Sequence, residues 1–121
     1  MDYKSLYASY LKSIKSLNTE LESFRKRENI DTEDGMHIVF GMVVLPFIFK
    51  NLNNAVFLSQ SFGFFEEMSK CENHLIQEVL EFTILEGIAD QSEGTRNTLK
   101  SFMKSNTLII FDKICDYMNL N

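Results

Sequence analysis

The sequence lacks several features that would assign it to a class. It has no tryptophan, one proline and two cysteines, Cys71 and Cys115, among 121 residues. The residues that follow Met1 do not form the basic stretch and apolar run of a signal peptide. We therefore expect a cytoplasmic protein in which both thiols are reduced, with a disulfide between them as the alternative.

Apolar runs of membrane-spanning length are also missing. The most apolar stretch, residues 38–49, is about a dozen residues long and is interrupted by Gly41 and Pro46. A helix needs about 20 apolar residues to cross a bilayer. The stretch therefore predicts a buried core helix, and we expect no membrane partner.

Motifs for catalysis and cofactor binding do not occur either. The sequence contains no Gly-x-Ser-x-Gly elbow, no phosphate-binding glycine loop and no dinucleotide fingerprint. Cys71 and His74 would share a helix face, but a zinc site needs more ligands, and Cys115 and His37 are isolated. We expect no catalytic residue, no metal and no cofactor. An enzyme or ligand-binding bundle is the third hypothesis.

The sequence does contain enough hydrophobic residues to form the core of one globular domain. Hydrophobic residues make up 45% of the chain and charged residues 24%, which is ordinary for a folded protein. The eleven phenylalanines carry no polar group, so most of them are expected in the core. The length predicts a single domain over residues 1–121.

Apolar residues recur at helical spacing along the chain. The pattern predicts five helices, over residues 3–28, 33–51, 55–70, 72–90 and 93–118, with a kink or break at Pro46. The predicted fold is therefore all-α, a compact irregular bundle of about five helices. In the first helix, alternating steps of four and three form one apolar stripe, here called the N-terminal stripe: Tyr3, Tyr7, Tyr10, Ile14, Leu17, Leu21 and Phe24.

Charge is distributed unevenly along the chain. The net charge is −5, but residues 33–95 carry ten carboxylates against two basic residues, whereas both flanks are slightly positive. One explanation is solubility. The other is an acidic surface that attracts a basic partner and repels nucleic acid. On the second explanation we expect a protein partner and no nucleic-acid binding.

The carboxylates of the acidic segment fall into two groups. On a helical wheel Glu86 shares the apolar side with Val79 and Phe82, where a charge is costly unless it is paired. Glu86 is therefore predicted to be a buried structural carboxylate, with a binding-site carboxylate as the alternative. The carboxylates predicted to face a partner are Glu66, Glu67, Glu72, Glu78, Glu81, Asp90 and Glu93.

Two segments in the middle of the chain carry a pattern. Residues 64–68 read Phe-Phe-Glu-Glu-Met, and residues 79–86 read Val-Leu-Glu-Phe-Thr-Ile-Leu-Glu. Residues 62–90 thereby resemble the small all-helical immunity proteins of bacterial polymorphic and contact-dependent growth inhibition toxin systems. The resemblance implies an antitoxin whose toxin is encoded beside it, and it places the glutamates of that pattern at Glu66 and Glu86.

The charge pattern and the resemblance together lead to one functional hypothesis. The chain is expected to be an immunity protein that occludes a cognate toxin, such as an RNase or another basic nuclease, through its acidic helical surface. The alternative is a helical interaction module that self-associates through the N-terminal stripe. Homodimerisation is compatible with either hypothesis.

Overall fold

The computed structural model describes residues 1–120, and every regular element within that range is a helix, which confirms the all-α prediction. None of the helices described there is both long and apolar enough to cross a membrane. Seven helices are present in the described range: α1 (Leu6–Ser13), α2 (Asn18–Arg27), α3 (residues 36–49), α4 (Ala55–Lys70), α5 (residues 74–89), α6 (Glu93–Lys100) and α7 (Ser105–Tyr117).

Two of the predicted helices are each divided in two. The helix predicted over residues 3–28 is broken at residues 14–17, where the Ser16 hydroxyl donates to the Gln60 side chain at 2.7 Å. The helix predicted over residues 93–118 is broken at residues 101–104. Both predictions of a continuous helix are wrong, because apolar spacing that continues on both sides of a turn does not reveal the turn.

Most residues of the N-terminal stripe are buried in the core of the same chain. Tyr10 has no exposed surface, and its ring stacks on Phe65 at 5.8 Å between centroids with an interplanar angle of 6°. Phe40 and Phe64 meet the same ring edge-on at 5.7 and 5.5 Å. The Tyr10 hydroxyl lies 2.8 Å from the Ser61 hydroxyl, so its polar group is satisfied, and burial raises the pKa of Tyr10.

Of the kink or break predicted at Pro46, the break does not occur, because helix α3 continues through the proline. The segment Phe40–Val44 is π-helical, and the Leu45 amide donates to the carbonyl of Phe40, five residues back. In a regular α-helix the proline ring would clash with the carbonyl four residues back. The wider π turn immediately before Pro46 relieves that clash and lets the helix continue.

Three of the helices have an N-cap residue whose side chain makes a capping hydrogen bond. The Asn54, Asn73 and Ser92 side chains accept backbone amides in the first turns of α4, α5 and α6. Helix α7 differs, because the side chain of Lys104, which precedes it, makes no capping hydrogen bond. The first amides of α7 therefore need a partner from elsewhere in the fold.

Glu66, on α4, is that partner. One carboxylate oxygen accepts the Thr107 amide at 3.0 Å and the Thr107 hydroxyl at 2.9 Å, and the other accepts the Asn106 amide at 3.2 Å. Glu66 is 5% exposed, so the prediction that its carboxylate faces a partner protein is wrong. A carboxylate at a helix N-terminus also interacts favourably with the helix dipole. Glu66 thereby anchors α7 on α4.

These hydrogen bonds outweigh the effect of burial on the carboxyl group. Burial alone would raise the pKa of Glu66, but the bonds from Thr107 and Asn106 lower it below its ordinary value. A group with a lowered pKa in the folded state stabilises the fold above its unfolded pKa, which is about 4.3 for glutamate. That contribution is lost as the pH falls through the folded pKa.

Replacement of Glu66 by glutamine should expose this contribution. We expect Glu66→Gln to lower the free energy of unfolding at pH 7 by about 1–3 kcal/mol, because an amide is a weaker acceptor and presents its own donor. We also expect a smaller loss of stability in the variant between pH 6 and pH 3. Urea unfolding across this pH range measures both effects. Glu67→Gln, at the exposed neighbouring position, is the control, and identical pH profiles for the two variants would contradict the assignment.

Candidate functional site

A π-helical segment in α5 decides which residues of this helix are exposed. It covers Val79–Leu85, and the Glu86 amide donates to the carbonyl of Glu81, five residues back. Hydrogen bonding over five residues adds a residue to each turn, so the positions beyond it are rotated relative to a regular α-helix. The buried positions are Val79 and Leu80 at the start of the segment, Ile84 and Leu85 at its end, and Ile88 and Ala89 beyond it.

The prediction that Glu86 is a buried structural carboxylate is wrong. Glu86 is exposed, and Phe82, which the same helical wheel placed in the core, is 59% exposed. A wheel with 3.6 residues per turn does not apply across a π-helical segment. Neither Arg25 nor Arg96 pairs with Glu86, since Arg25 binds Glu22 and Arg96 donates to the carbonyl of Gln91.

A groove with a volume of about 500 Å³ runs between α5 and α7, and we call it the α5–α7 groove. Two aromatic rings border it with most of their surface exposed, Phe82 and the 89% exposed Tyr117. Its lining residues are Glu81, Phe82, Glu86, Ile110, Lys113, Ile114, Tyr117 and Met118.

The α5 wall of this groove is acidic. Residues 74–90 contain four carboxylates, Glu78, Glu81, Glu86 and Asp90, and no lysine or arginine. Within residues 1–120 the ion pairs closer than 4 Å are Arg25–Glu22 and Lys100–Asp112, so none of the four is neutralised by such a pair there. Two carboxylates face one cation, Lys113, among the lining residues.

Helix α3 packs along the opposite side of α5. The His37 ring nitrogen Nδ1 lies 2.6 Å from the Thr83 hydroxyl, and a Cβ atom added to Gly41 would lie 3.2 Å from the Thr83 methyl group. One turn further along both helices, a Cβ atom added to Gly87 would overlap the Leu45 side chain. Contacts that advance together in this way mean that α3 and α5 run parallel at close range.

The carboxylates predicted to face a partner do not form one cluster. Glu81 lines the α5–α7 groove, whereas Glu66 is buried and Glu93 lines a separate cavity next to α7. The remaining members are exposed on the surface: Glu67, Glu72, Glu78 and Asp90. Sequence reasoning missed Phe82, Tyr117 and the exposed position of Glu86.

The separate cavity lies between α6 and α7 and has a volume of about 550 Å³. Its charges are mixed, and Lys100 pairs with Asp112 across it at 3.0 Å. Cys115 lines it as a largely buried free thiol, and burial raises the pKa of that thiol. A raised pKa lowers the thiolate fraction, so Cys115 is not an activated nucleophile.

The second cysteine, Cys71, lies between helices rather than within one. It follows the last residue of α4 in an extended conformation, and His74 begins α5. Cys71 therefore lies at a helix junction, between the helices predicted over residues 55–70 and 72–90, and it does not share a helix face with His74. Among residues 1–120, no group of three or more His, Cys, Asp or Glu side chains is arranged to hold a metal ion.

The chain matches a known family model. Residues 8–119 match a family model described as a domain of unknown function, DUF7674. The matched range extends from α1 into the turn that follows α7, and so it includes both walls of the α5–α7 groove. No curated protein and no solved structure matches the chain.

The register of α5 can be tested by a pair of truncations. We expect Phe82→Ala to lower the free energy of unfolding by less than about 1 kcal/mol, since the ring is mostly exposed. Leu85→Ala removes a fully buried side chain and should cost about 2–5 kcal/mol. Chemical denaturation measures both values. A larger loss for Phe82→Ala than for Leu85→Ala would mean that α5 is a regular α-helix.

Proposed function

Because the chain belongs to the DUF7674 family, a domain of unknown function, we propose its role from its own surface. It is a stoichiometric binding protein that receives a basic protein partner at the α5–α7 groove. In its specific form, the proposal is that the chain is an immunity protein. It occludes the active-site cleft of a cognate bacterial toxin, such as an RNase.

One observation carries this proposal, namely that exposed aromatic rings and carboxylates without ion-pair partners border the same groove. Phe82 and Tyr117 expose large apolar areas whose removal from water would stabilise a complex. Glu81 and Glu86 stand beside them without ion pairs in the described part of the chain. A partner with lysine or arginine around an apolar contact would satisfy both features.

A nuclease cleft is a suitable partner in physical terms. Such a cleft is basic because it binds phosphates, so an acidic protein surface competes for the same positive potential. Charges at the rim would mainly accelerate association, and the buried aromatic rings would mainly set the lifetime of the complex. A complex of standard size would bury about 1,600 Å² in total.

The alternative hypothesis, self-association through the N-terminal stripe, requires a surface that is not accessible to a second copy of the chain. Tyr7, Tyr10, Ile14, Leu21 and Phe24 are buried within the chain itself. A coiled-coil contact through these residues would require α1 and α2 to leave the core. The apolar area buried in such a dimer would at best equal the area that these residues already bury within the chain, so dimerisation would bring no net stabilisation. The groove is therefore the better candidate surface.

Charge reversal on the groove tests the proposal. The chain is co-expressed and purified with the toxin domain that the proposal expects to be encoded beside it, and complex formation is followed by surface plasmon resonance. We expect a 1:1 complex that blocks toxin activity. Glu81→Lys/Glu86→Lys should slow association about tenfold or more at low salt and flatten its dependence on ionic strength.

Glu20→Lys/Glu28→Lys is the matched control, because both glutamates are exposed at α2, outside the groove lining. This variant changes the net charge by the same amount and should associate much more like the unmodified chain. The proposal fails if no complex forms, or if the groove variant and the control associate equally fast.

A further inference from the structure

The contact between α3 and α5 places a second row of exposed residues beside the groove. Along α3 the residues that face α5 are His37, Gly41 and Leu45, spaced by four. Along α5 the residues that face α3 are Thr83 and Gly87, also spaced by four. Each helix thus turns one row of side chains towards the other.

The handedness of the helices then fixes which neighbours share a side. In two parallel right-handed helices, the residue after a contact on one helix and the residue before a contact on the other point to the same side. The residues that follow the α3 contacts are Ile38, Met42 and Pro46. The residues that precede the α5 contacts are Phe82 and Glu86. These five residues border one valley, which we call the α3–α5 valley.

Exposure supports this arrangement. Ile38 and Met42 are among the large apolar residues with much of their surface exposed, Met42 by 56%, and Phe82 is exposed to a similar extent. Pro46 is half-buried and Glu86 is exposed. The valley therefore has an apolar wall from α3 and a wall from α5 that ends in a carboxylate.

The α3–α5 valley and the α5–α7 groove share their ridge. Phe82 and Glu86 line the groove on one side and border the valley on the other. A partner seated on this ridge would contact apolar surface on both sides of Phe82 and would meet Glu86 one helical turn further along α5. The exposed apolar surface thus extends across three helices, with the carboxylates along its centre.

We propose, resting on the function proposed above, that the partner contributes an amphipathic helix with a basic edge to this surface. The helix lies along the α3–α5 valley and places apolar side chains between Met42 and Phe82. A lysine or arginine one turn away binds Glu86. The valley is the place where the partner's segment docks, and the groove receives the neighbouring part of the partner.

The spacing and the charge favour a helical segment. Phe82 and Glu86 are four residues apart, and side chains four apart on a partner helix have the same separation, about 6 Å. Apolar and basic residues at that interval therefore meet an apolar and an acidic group in turn. Strand addition by an extended segment would need an unpaired sheet edge, and residues 1–120 contain no strand.

Selection from a displayed library of 20-residue helical peptides tests the proposal. The probe is a library with Leu, Ala, Arg, Lys, Glu and Gln randomised at every position, panned against the immobilised chain. We expect enriched peptides to carry apolar residues three and four apart, with arginine or lysine one turn away. The absence of enrichment, enrichment of acidic sequences, or enrichment of peptides whose apolar residues do not recur three and four apart, overturns the proposal.

Variants of the chain then locate the binding site of an enriched peptide. Met42→Ser/Phe82→Ser should weaken binding at least tenfold in fluorescence anisotropy, and Glu86→Gln should weaken it several-fold with a smaller salt dependence. Val56→Ser, at a 61% exposed position on α4, is the control and should bind like the unmodified chain. Equal binding by all variants overturns the proposal. Circular dichroism verifies that each variant is folded.

The same variants separate this inference from the function on which it rests. If Glu81→Lys/Glu86→Lys weakens the toxin complex and Met42→Ser leaves it unchanged, the immunity function stands and the docking of a helix in the valley is refuted. If neither a toxin domain nor any peptide binds, both proposals fail. If Met42→Ser weakens both complexes, the valley is part of the interface.

Discussion

The exposed surface of this protein depends on one backbone constraint, the π-helical segment Val79–Leu85 in α5. The segment inserts an extra residue into the helical turn, which rotates Leu85 and Ile88 into the core and leaves Phe82 and Glu86 outside. A second π-helical segment in α3 faces it, and Gly41 and Gly87 leave room for the close parallel contact. Irregular segments of this kind are frequent at functional sites.

The groove also depends on the placement of α7, which the fold secures at the first turn of that helix. The buried carboxylate of Glu66 satisfies three donors there, so α7 is attached to α4. With that end anchored, Ile110 and Ile114 of α7 line the groove, and the exposed ring of Tyr117 borders it. Glu66 and Glu86, from the segments 64–68 and 79–86, thus differ, since Glu66 supports the fold and Glu86 lies at the surface.

Carboxylates and exposed aromatic rings occur together at the α5–α7 groove. Several carboxylates of the middle segment, such as Glu67 and Glu72, are exposed outside the groove, where they can serve solubility. Glu81 and Glu86 border exposed aromatic rings and have no ion-pair partner in the described range, and a basic protein partner would satisfy that combination. The cavity between α6 and α7 lacks this combination, because Lys100 and Asp112 pair within it.

The sequence by itself determined the helical class, since apolar spacing reports the local period of the backbone. It also determined the bounds of α4, whose capping Asn54 and terminal turn are local features. The tertiary structure alone decided the breaks at residues 14–17 and 101–104, the exposure of Phe82 and the burial of Glu66. Groups distant in the chain take part in two of these features, since Gln60 accepts from Ser16 at the first break and Thr107 donates to the buried Glu66. Apolar residues recurring at a fixed spacing in the sequence reveal neither these contacts nor a local change from α-helix to π-helix.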